Sequence, residues 1–296
     1  MYYVFRAASM IVPWLPEWLA HPLGVAAGWI AWCVARHACQ QATENMVHVL
    51  GPQMRATPAG RKRLRHTVQA MFQHNVRNTL SIFSLPARTP AAILHDLHVE
   101  GVEHLDAALA QGKGVICFTA HLGPIDYLMQ WLALRGYDVT VPVERLKDPR
   151  ILELMLCVRG LYGLHLLPLD GRTSIRPLVE QLRRNHIVGL TADRGFQGQT
   201  RAMPFFGTPA CLPLCPVLLA QRTGAALVGG FGWRTGRGRI NGHFFPLTLA
   251  LAAEQRATAA GPLQGIVSRL EQVIRAHPEQ WMAFEPIWMA TPGPRS

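Results

Sequence analysis

The sequence predicts an α/β fold with a mostly parallel central sheet flanked by helices, preceded by an N-terminal helical membrane-anchoring segment. Three observations carry that expectation. From about Val99 onward, short apolar runs alternate with longer amphipathic ones, the pattern of strands joined by crossover helices. The 296 residues are 49% hydrophobic and only 16% charged, enough apolar material to bury one sizeable core and too much for disorder. The N-terminal stretch carries Trp14, Trp18, Trp29 and Trp32 in an apolar run that Pro13, Pro16, His21 and Pro22 interrupt.

Taken in order, residues 1–42 read as an interfacial or re-entrant anchor. Their uninterrupted part, residues 23–35, falls short of the roughly 20 residues a spanning helix needs. It also lacks the early positive cluster and cleavage site of a signal peptide. Tryptophans at headgroup depth suit a shallow anchor, while a helix packed against the main domain is the alternative. Residues 43–296 form the main domain, with a helical segment over about 43–90 and an α/β core over about 95–290. Leu64, Val68, Met71, Phe72, Val76, Leu80 and Phe83 recur at helical spacing, and Pro86 and Pro90 end the pattern. Strands are predicted over 115–118, 139–143, 164–169, 187–192 and 225–231. Helices are predicted over 124–134, from Pro149 behind an Asp148 cap, and over 175–184, 214–222 and 263–276. The basic stretch 234–239 reads as a hairpin, solvated or clamping lipid.

Lys+Arg 29 against Asp+Glu 18 leaves a net charge of +11. That balance suits an anionic partner: nucleic acid, anionic lipid headgroups or phosphate-bearing substrates. The basic residues are scattered among apolar blocks, with neither a recognition motif nor a basic-aromatic platform, which argues against nucleic acid. Six cysteines without a Cys-x-x-Cys pair read as buried thiols in a reducing compartment.

Ligands of parallel sheets sit beyond the carboxyl ends of the strands, so the loops after Phe118, Val143 and Ala192 hold the candidate site. The first contains His121 and Asp126, spaced His-x-x-x-x-Asp. His95 with Glu100, His98 with Glu103 and His165 with Asp170 share the spacing, but five positions on a strand face opposite sides and five on a helix diverge. Only His121 lies at a strand end, with Gly123-Pro124 to turn the chain and bring an acid from the following helix back to the ring. A carboxylate on one ring nitrogen fixes the tautomer and leaves the other nitrogen as a base for a hydroxyl. No Gly-x-Ser-x-Gly elbow occurs, so direct transfer without an acyl-enzyme fits better than a serine triad.

The His-x-x-x-x-Asp motif after a strand resembles the first motif of the lysophospholipid and glycerolipid acyltransferase superfamily. Val99-Glu100-Gly101-Val102-Glu103-His104-Leu105, Gly114-Val115-Ile116, Val141-Pro142-Val143-Glu144-Arg145-Leu146, Ala192-Asp193-Arg194 and Pro204-Phe205-Phe206-Gly207 follow in the order of one branch. That branch contains the lipid A late (lauroyl or myristoyl) acyltransferases and the phosphatidylinositol mannoside acyltransferases. The resemblance implies an acyltransferase domain over 43–296, peripheral or single-pass on the cytoplasmic face of a bacterial inner membrane. It would move a fatty acyl chain from acyl-CoA or acyl carrier protein to a hydroxyl of a glycolipid or lysophospholipid, with no cofactor, no metal and no nucleic acid. By the same resemblance His121 is the general base and Asp126 its orienting partner, and Arg159, Glu144, Arg145, Asp193, Arg194, Phe205, Phe206 and Gly207 bind substrates. Two departures stand out: lipid A enzymes usually carry Glu where Asp126 stands, and residues 195–199 lack an acid that the mycobacterial-type loop has. Arg159 as a helix-end cap and Asp193-Arg194 as a local ion pair are the structural alternatives. A lipid-binding protein without chemistry, or a hydrolase that gives the acyl chain to water, are the functional ones.

Overall fold

The chain leads in through helices. The computed structural model describes residues 2–169, 175–194, 199–236, 239–247 and 260–288, and α1 (Tyr2–Ile11), α2 (Glu17–Val34), α3 (Arg36–Leu50), α4 (Gln53–Ala56) and α5 (Pro58–Ser84) precede its first strand. α5 is the helix that the apolar spacing predicts. Thr57 caps it by accepting from the Gly60 N–H, Pro58 occupies its first turn, and Leu64, Val68, Met71, Phe72 and Phe83 are its buried stripe.

α2 runs through Pro22 instead of being broken there, so it is 18 residues long and begins earlier than the sequence suggests. It packs closely on α5. A Cβ at Gly28 would stand 2.4 Å from the Cα of Gln73, and one at Gly24 2.8 Å from the Cγ of Arg77, so the two glycines let the helices touch. The opposite face leaves Trp18, Leu23, Trp29, Ile30 and Val34 exposed, as are Trp14, Met10 and Ile11 just before. Among the described residues no single helix is long and apolar enough to cross a membrane; α2 from Trp18 and α3 have the length only together, and they meet at a 96° bend. Residue 42 lies within α3, whose Ala42, Met46 and Val49 belong to the main core.

The core follows: α6 (Pro90–Asp96), β1 (Leu97–Glu100), α7 (Val102–Leu109), β2 (Val115–Thr119), α8 (Ile125–Leu134), β3 (Val139–Glu144), α9 (Pro149–Arg159), β4 (His165–Leu169), α10 (Arg176–Arg183) and β5 (Ile187–Thr191). After these come β6 (Thr200–Phe205), β7 (Thr208–Pro213), α11 (Cys215–Thr223), β8 (Ala226–Thr235), β9 (Arg239–Pro246) and α12 (Ala260–Ala276). Seven strands form one sheet in the order β1-β9-β8-β2-β5-β3-β4, parallel at every pairing except β8 with β9. β2 lies at its centre with all five residues buried, as its apolar run requires.

Several expectations need correction. β9 was not anticipated, because Asn241-Gly242 and His243 interrupt its apolar pattern; it pairs with a β8 longer than predicted. Of the expected basic hairpin, residues 237–238 lie outside the described set, and Arg234 turns inward to Asn78 and Ser81 instead of into solvent. The β6–β7 hairpin was also hidden, since Pro204, Pro209 and Pro213 read as breakers; a separate two-stranded ribbon is all edge and tolerates them. Cys117 is a buried thiol, pushed up to about 12 by burial, but Cys33 and Cys157 are exposed.

Candidate active site

β2 delivers the chain to the carboxyl edge of the sheet at Thr119, and the loop that follows is gripped from two sides. Gly123 has φ +59°, and a Cβ there would lie 2.2 Å from the carbonyl oxygen of Gly232 on β8, so only glycine fits. From the other side, the segment around Trp281 runs antiparallel to the loop: Met282 N–H donates to the His121 carbonyl at 2.7 Å and Gly123 N–H to that of Gln280 at 2.9 Å. The buried Gln280 side chain holds this strap on β8, accepting from Arg234 N–H and donating to the Arg234 carbonyl. His121 is thus presented by a loop whose main chain is bonded on both sides.

The acid beside it comes from the neighbouring strand. Thr119 of β2 is in register with Thr191 of β5, and the Ala192 N–H continues the pairing by donating to the Thr119 carbonyl at 2.8 Å. Two residues beyond each strand, His121 and Asp193 meet. Asp193 Oδ1 lies 2.8 Å from His121 Nδ1, while Oδ2 accepts from the His121 backbone N–H at 3.1 Å and from the Trp281 indole N–H at 2.8 Å. Burial, the largest influence on Asp193, would raise its pKa, but His121, the Trp281 donor and Arg194 together outweigh it and hold the carboxyl at about 2. An ionised Asp193 only accepts, so Nδ1 carries the proton toward it, and Nε2 has no hydrogen-bond partner among the described residues. The His121 side chain is 28% exposed and that of Asp193 1%, which leaves a wet base backed by a dry acid.

Asp126 is not the acid on the ring, and the expected His121–Asp126 pair is corrected here. The Gly123-Pro124 turn starts α8 with Asp126 facing the end of α9, where the Arg159 Nε–H donates to Asp126 Oδ1 at 2.5 Å. Gln130 of α8 in turn donates its side-chain amide to the Arg159 carbonyl, which ties the end of α9 to α8. Arg159 therefore holds a carboxylate and ends its helix at once.

The other expected residues spread over the same edge. Arg194 lies 3.7 Å from the Glu285 carboxylate, and its buried Nε makes no hydrogen bond among the described residues. Glu144, at the end of β3, has its pKa raised by burial and by Glu285, against the opposing pull of Arg194. Arg145 follows on the exposed rim. Glu285 and Trp281 escaped the sequence reading because both lie in an irregular segment without periodicity; Asn45 on α3 fixes it by donating to the carbonyls of Ala283 and Glu285.

Phe206 and Gly207 form the two-residue turn between β6 and β7, both with positive φ, as tight hairpin turns demand. The Phe206 N–H donates to Glu271, and Arg275 covers its ring at 5.1 Å. Phe205 is fully buried and packs edge-on against Trp281 at 6.0 Å, so it buttresses the residue that bonds Asp193. Residues 195–198 of the next loop lie outside the described set.

This geometry can be compared with known proteins. The family profile described as bacterial lipid A biosynthesis acyltransferase matches residues 1–290. The phosphatidylinositol mannoside acyltransferase of Mycobacterium tuberculosis (strain CDC 1551 / Oshkosh) is 33% identical over 261 residues, 86% of this chain and 79% of that protein. The protein of the same name from strain ATCC 25618 / H37Rv gives the same figures. Its namesake in Mycolicibacterium smegmatis (strain ATCC 700084 / mc(2)155) is 26% identical over 288 residues, 97% of this chain and 90% of its own.

Proposed function

Since the chain belongs to the bacterial lipid A biosynthesis acyltransferase family, and so is an enzyme that transfers acyl groups in glycolipid synthesis, we propose that His121 is the general base of that transfer and that Asp193 holds it. The observation that carries this reading is the His121 ring with Nδ1 against a buried, ionised Asp193 and with Nε2 open. The donor is a thioester, acyl-CoA or acyl carrier protein, and the acceptor a glycolipid of the lipid A precursor or phosphatidylinositol mannoside type. The names of the relatives favour the second.

In the proposed step Nε2 takes the proton of an acceptor hydroxyl as its oxygen attacks the thioester carbonyl. A tetrahedral adduct forms, its C–S bond breaks, and the thiolate leaves with the proton returned from the imidazolium. The products are the ester and the free thiol. Asp193 stabilises the imidazolium between the two transfers, and Trp281 and the His121 N–H keep the carboxylate aimed. Arg145, Arg159 and Arg194 set positive charge along the same edge, suited to the donor's phosphates or an acidic carrier. Asp126 fixes Arg159 there, and the Phe205 to Gly207 hairpin supports Trp281 from below.

The exposed Trp14, Trp18 and Trp29, with Ile11, Ile30 and Val34, support peripheral docking on an inner-membrane surface through α1 and α2. Changing the three tryptophans to serine should release the protein from floated phosphatidylcholine vesicles; unchanged flotation would place the contact elsewhere. For the chemistry, the purified protein is incubated with labelled palmitoyl-CoA and phosphoinositide mannosides, and the products are weighed by mass spectrometry. An acceptor heavier by one acyl group is expected. Free palmitate alone would mean a hydrolase, and no product with palmitoyl-CoA or with palmitoyl acyl carrier protein in its place would leave a lipid binder.

A further inference from the structure

Between the N-terminal helices and the core lies a cavity of about 590 Å³ that the transfer chemistry does not use. We infer that it holds the headgroup phosphate of an anionic phospholipid drawn from the membrane surface. Its position supports this occupant. Part of its lining is apolar, formed by Val12, Leu15, Leu80 and the exposed Trp18. Three cations line it as well, Arg77 of α5, Arg234 of β8 and Arg88, with Ser81 and Ser84 beside them. Arginines and apolar side chains lining one cavity, beside the exposed tryptophans of the N-terminal helices, match the phosphate and chains of a lipid, and the volume is that of a ligand pocket and not of a bare anion.

The cationic groups are arranged, not scattered. Arg234 is braced by donating to Asn78 Oδ1 at 3.2 Å and Ser81 Oγ at 2.6 Å. Arg88 is paired with Asp96, the one acid among the described lining residues. Arg77 is half-buried, with no carboxylate within ion-pair distance among the described residues, and its aliphatic stem lies against Gly24 of α2. The neighbouring His74 registers the field: burial first, then Arg77, Arg234 and His21, push its pKa down to about 4. Asn78 also donates to the Gly123 carbonyl in the His121 loop, so a lipid here would brace the docked helices close to the catalytic loop without entering it.

The inference rests on the membrane-surface reading, and the test separates the two. Full-length protein is titrated with phosphatidylcholine vesicles, with and without phosphatidylglycerol. Wild type should prefer the anionic vesicles, and Arg77→Gln should weaken binding to them about tenfold while leaving the weaker phosphatidylcholine binding unchanged. Ala20→Phe, which narrows the cavity while keeping every arginine, should erase the same preference, whereas Arg183→Gln at an exposed position of α10 should change it less than about twofold. Arg77→Lys should keep part of it, and circular dichroism should show every variant folded. Arg77→Gln binding anionic vesicles like wild type would overturn the assignment. So would equal loss on both vesicle types, which would make Arg77 a helix-docking residue. Inorganic phosphate binding to the lipid-free protein as tightly as the vesicles do would assign the cavity to a soluble anion instead. Loss of all vesicle binding by wild type would overturn the membrane reading itself.

Discussion

Changing His121 to alanine is expected to lower acyl transfer by about 10²–10⁴-fold with the fold intact. The magnitude follows from the role: without a base, the acceptor hydroxyl attacks while still carrying its proton. The fold survives because the His121 loop is held by main-chain bonds from Met282 and Gly123 that an alanine keeps. Asp193 loses the ring but retains the backbone N–H of residue 121 and the Trp281 indole, so no buried carboxylate is left without donors. The measurement is kcat at saturating donor and acceptor, with the thermal midpoint of both proteins. Near-normal turnover by the folded variant would put the base elsewhere.

The second large effect separates two aspartates. Asp193→Asn should lower kcat by about 10²-fold or more, because a neutral amide stabilises imidazolium poorly and can turn its NH₂ toward the ring, imposing the wrong tautomer. Oδ2 also faces two donors, and an amide nitrogen placed there would clash with both. Asp126→Asn should cost under about tenfold, since its oxygen can still accept from Arg159 and it does not touch His121. A larger loss for Asp126→Asn than for Asp193→Asn would reverse the assignment. Acid adds a check. The folded pKa of Asp193 is depressed from 3.8 to about 2, so its contribution to stability is present above 3.8 and lost as pH falls toward 2. The stability gap between wild type and Asp193→Asn should narrow over that interval.

Why the sequence pointed to the wrong partner for His121 is a matter of topology. A turn that folds an acid back from the next helix is a local device, and Asp126 was the local acid. The actual contact depends on β5 lying next to β2, with β3 and β4 threaded to its far side, and strand order is not written in any apolar pattern. Once the order is known, the register of Thr119 with Thr191 brings residues 121 and 193 together. What periodicity does encode was legible: the stripe of α5 and the buried run of β2. Trp281 and Glu285 were not, because they act from an irregular strap whose position depends on the Gln280 clasp and on Asn45. The N-terminal segment was half legible. Its tryptophans stood out, but the Gly24 and Gly28 contacts that dock α2 on α5 need both helices in view.

The most direct measurement is the tautomer of His121, read from ¹⁵N chemical shifts in histidine-labelled protein in alkaline solution, where a histidine ring is unprotonated, and assigned by loss of the signal in His121→Gln. The expected ring carries its proton at Nδ1 and is bare at Nε2, converting to the other tautomer in Asp193→Asn. A proton resident on Nε2 in the wild type, or a ring indifferent to Asp193→Asn, would contradict the assignment.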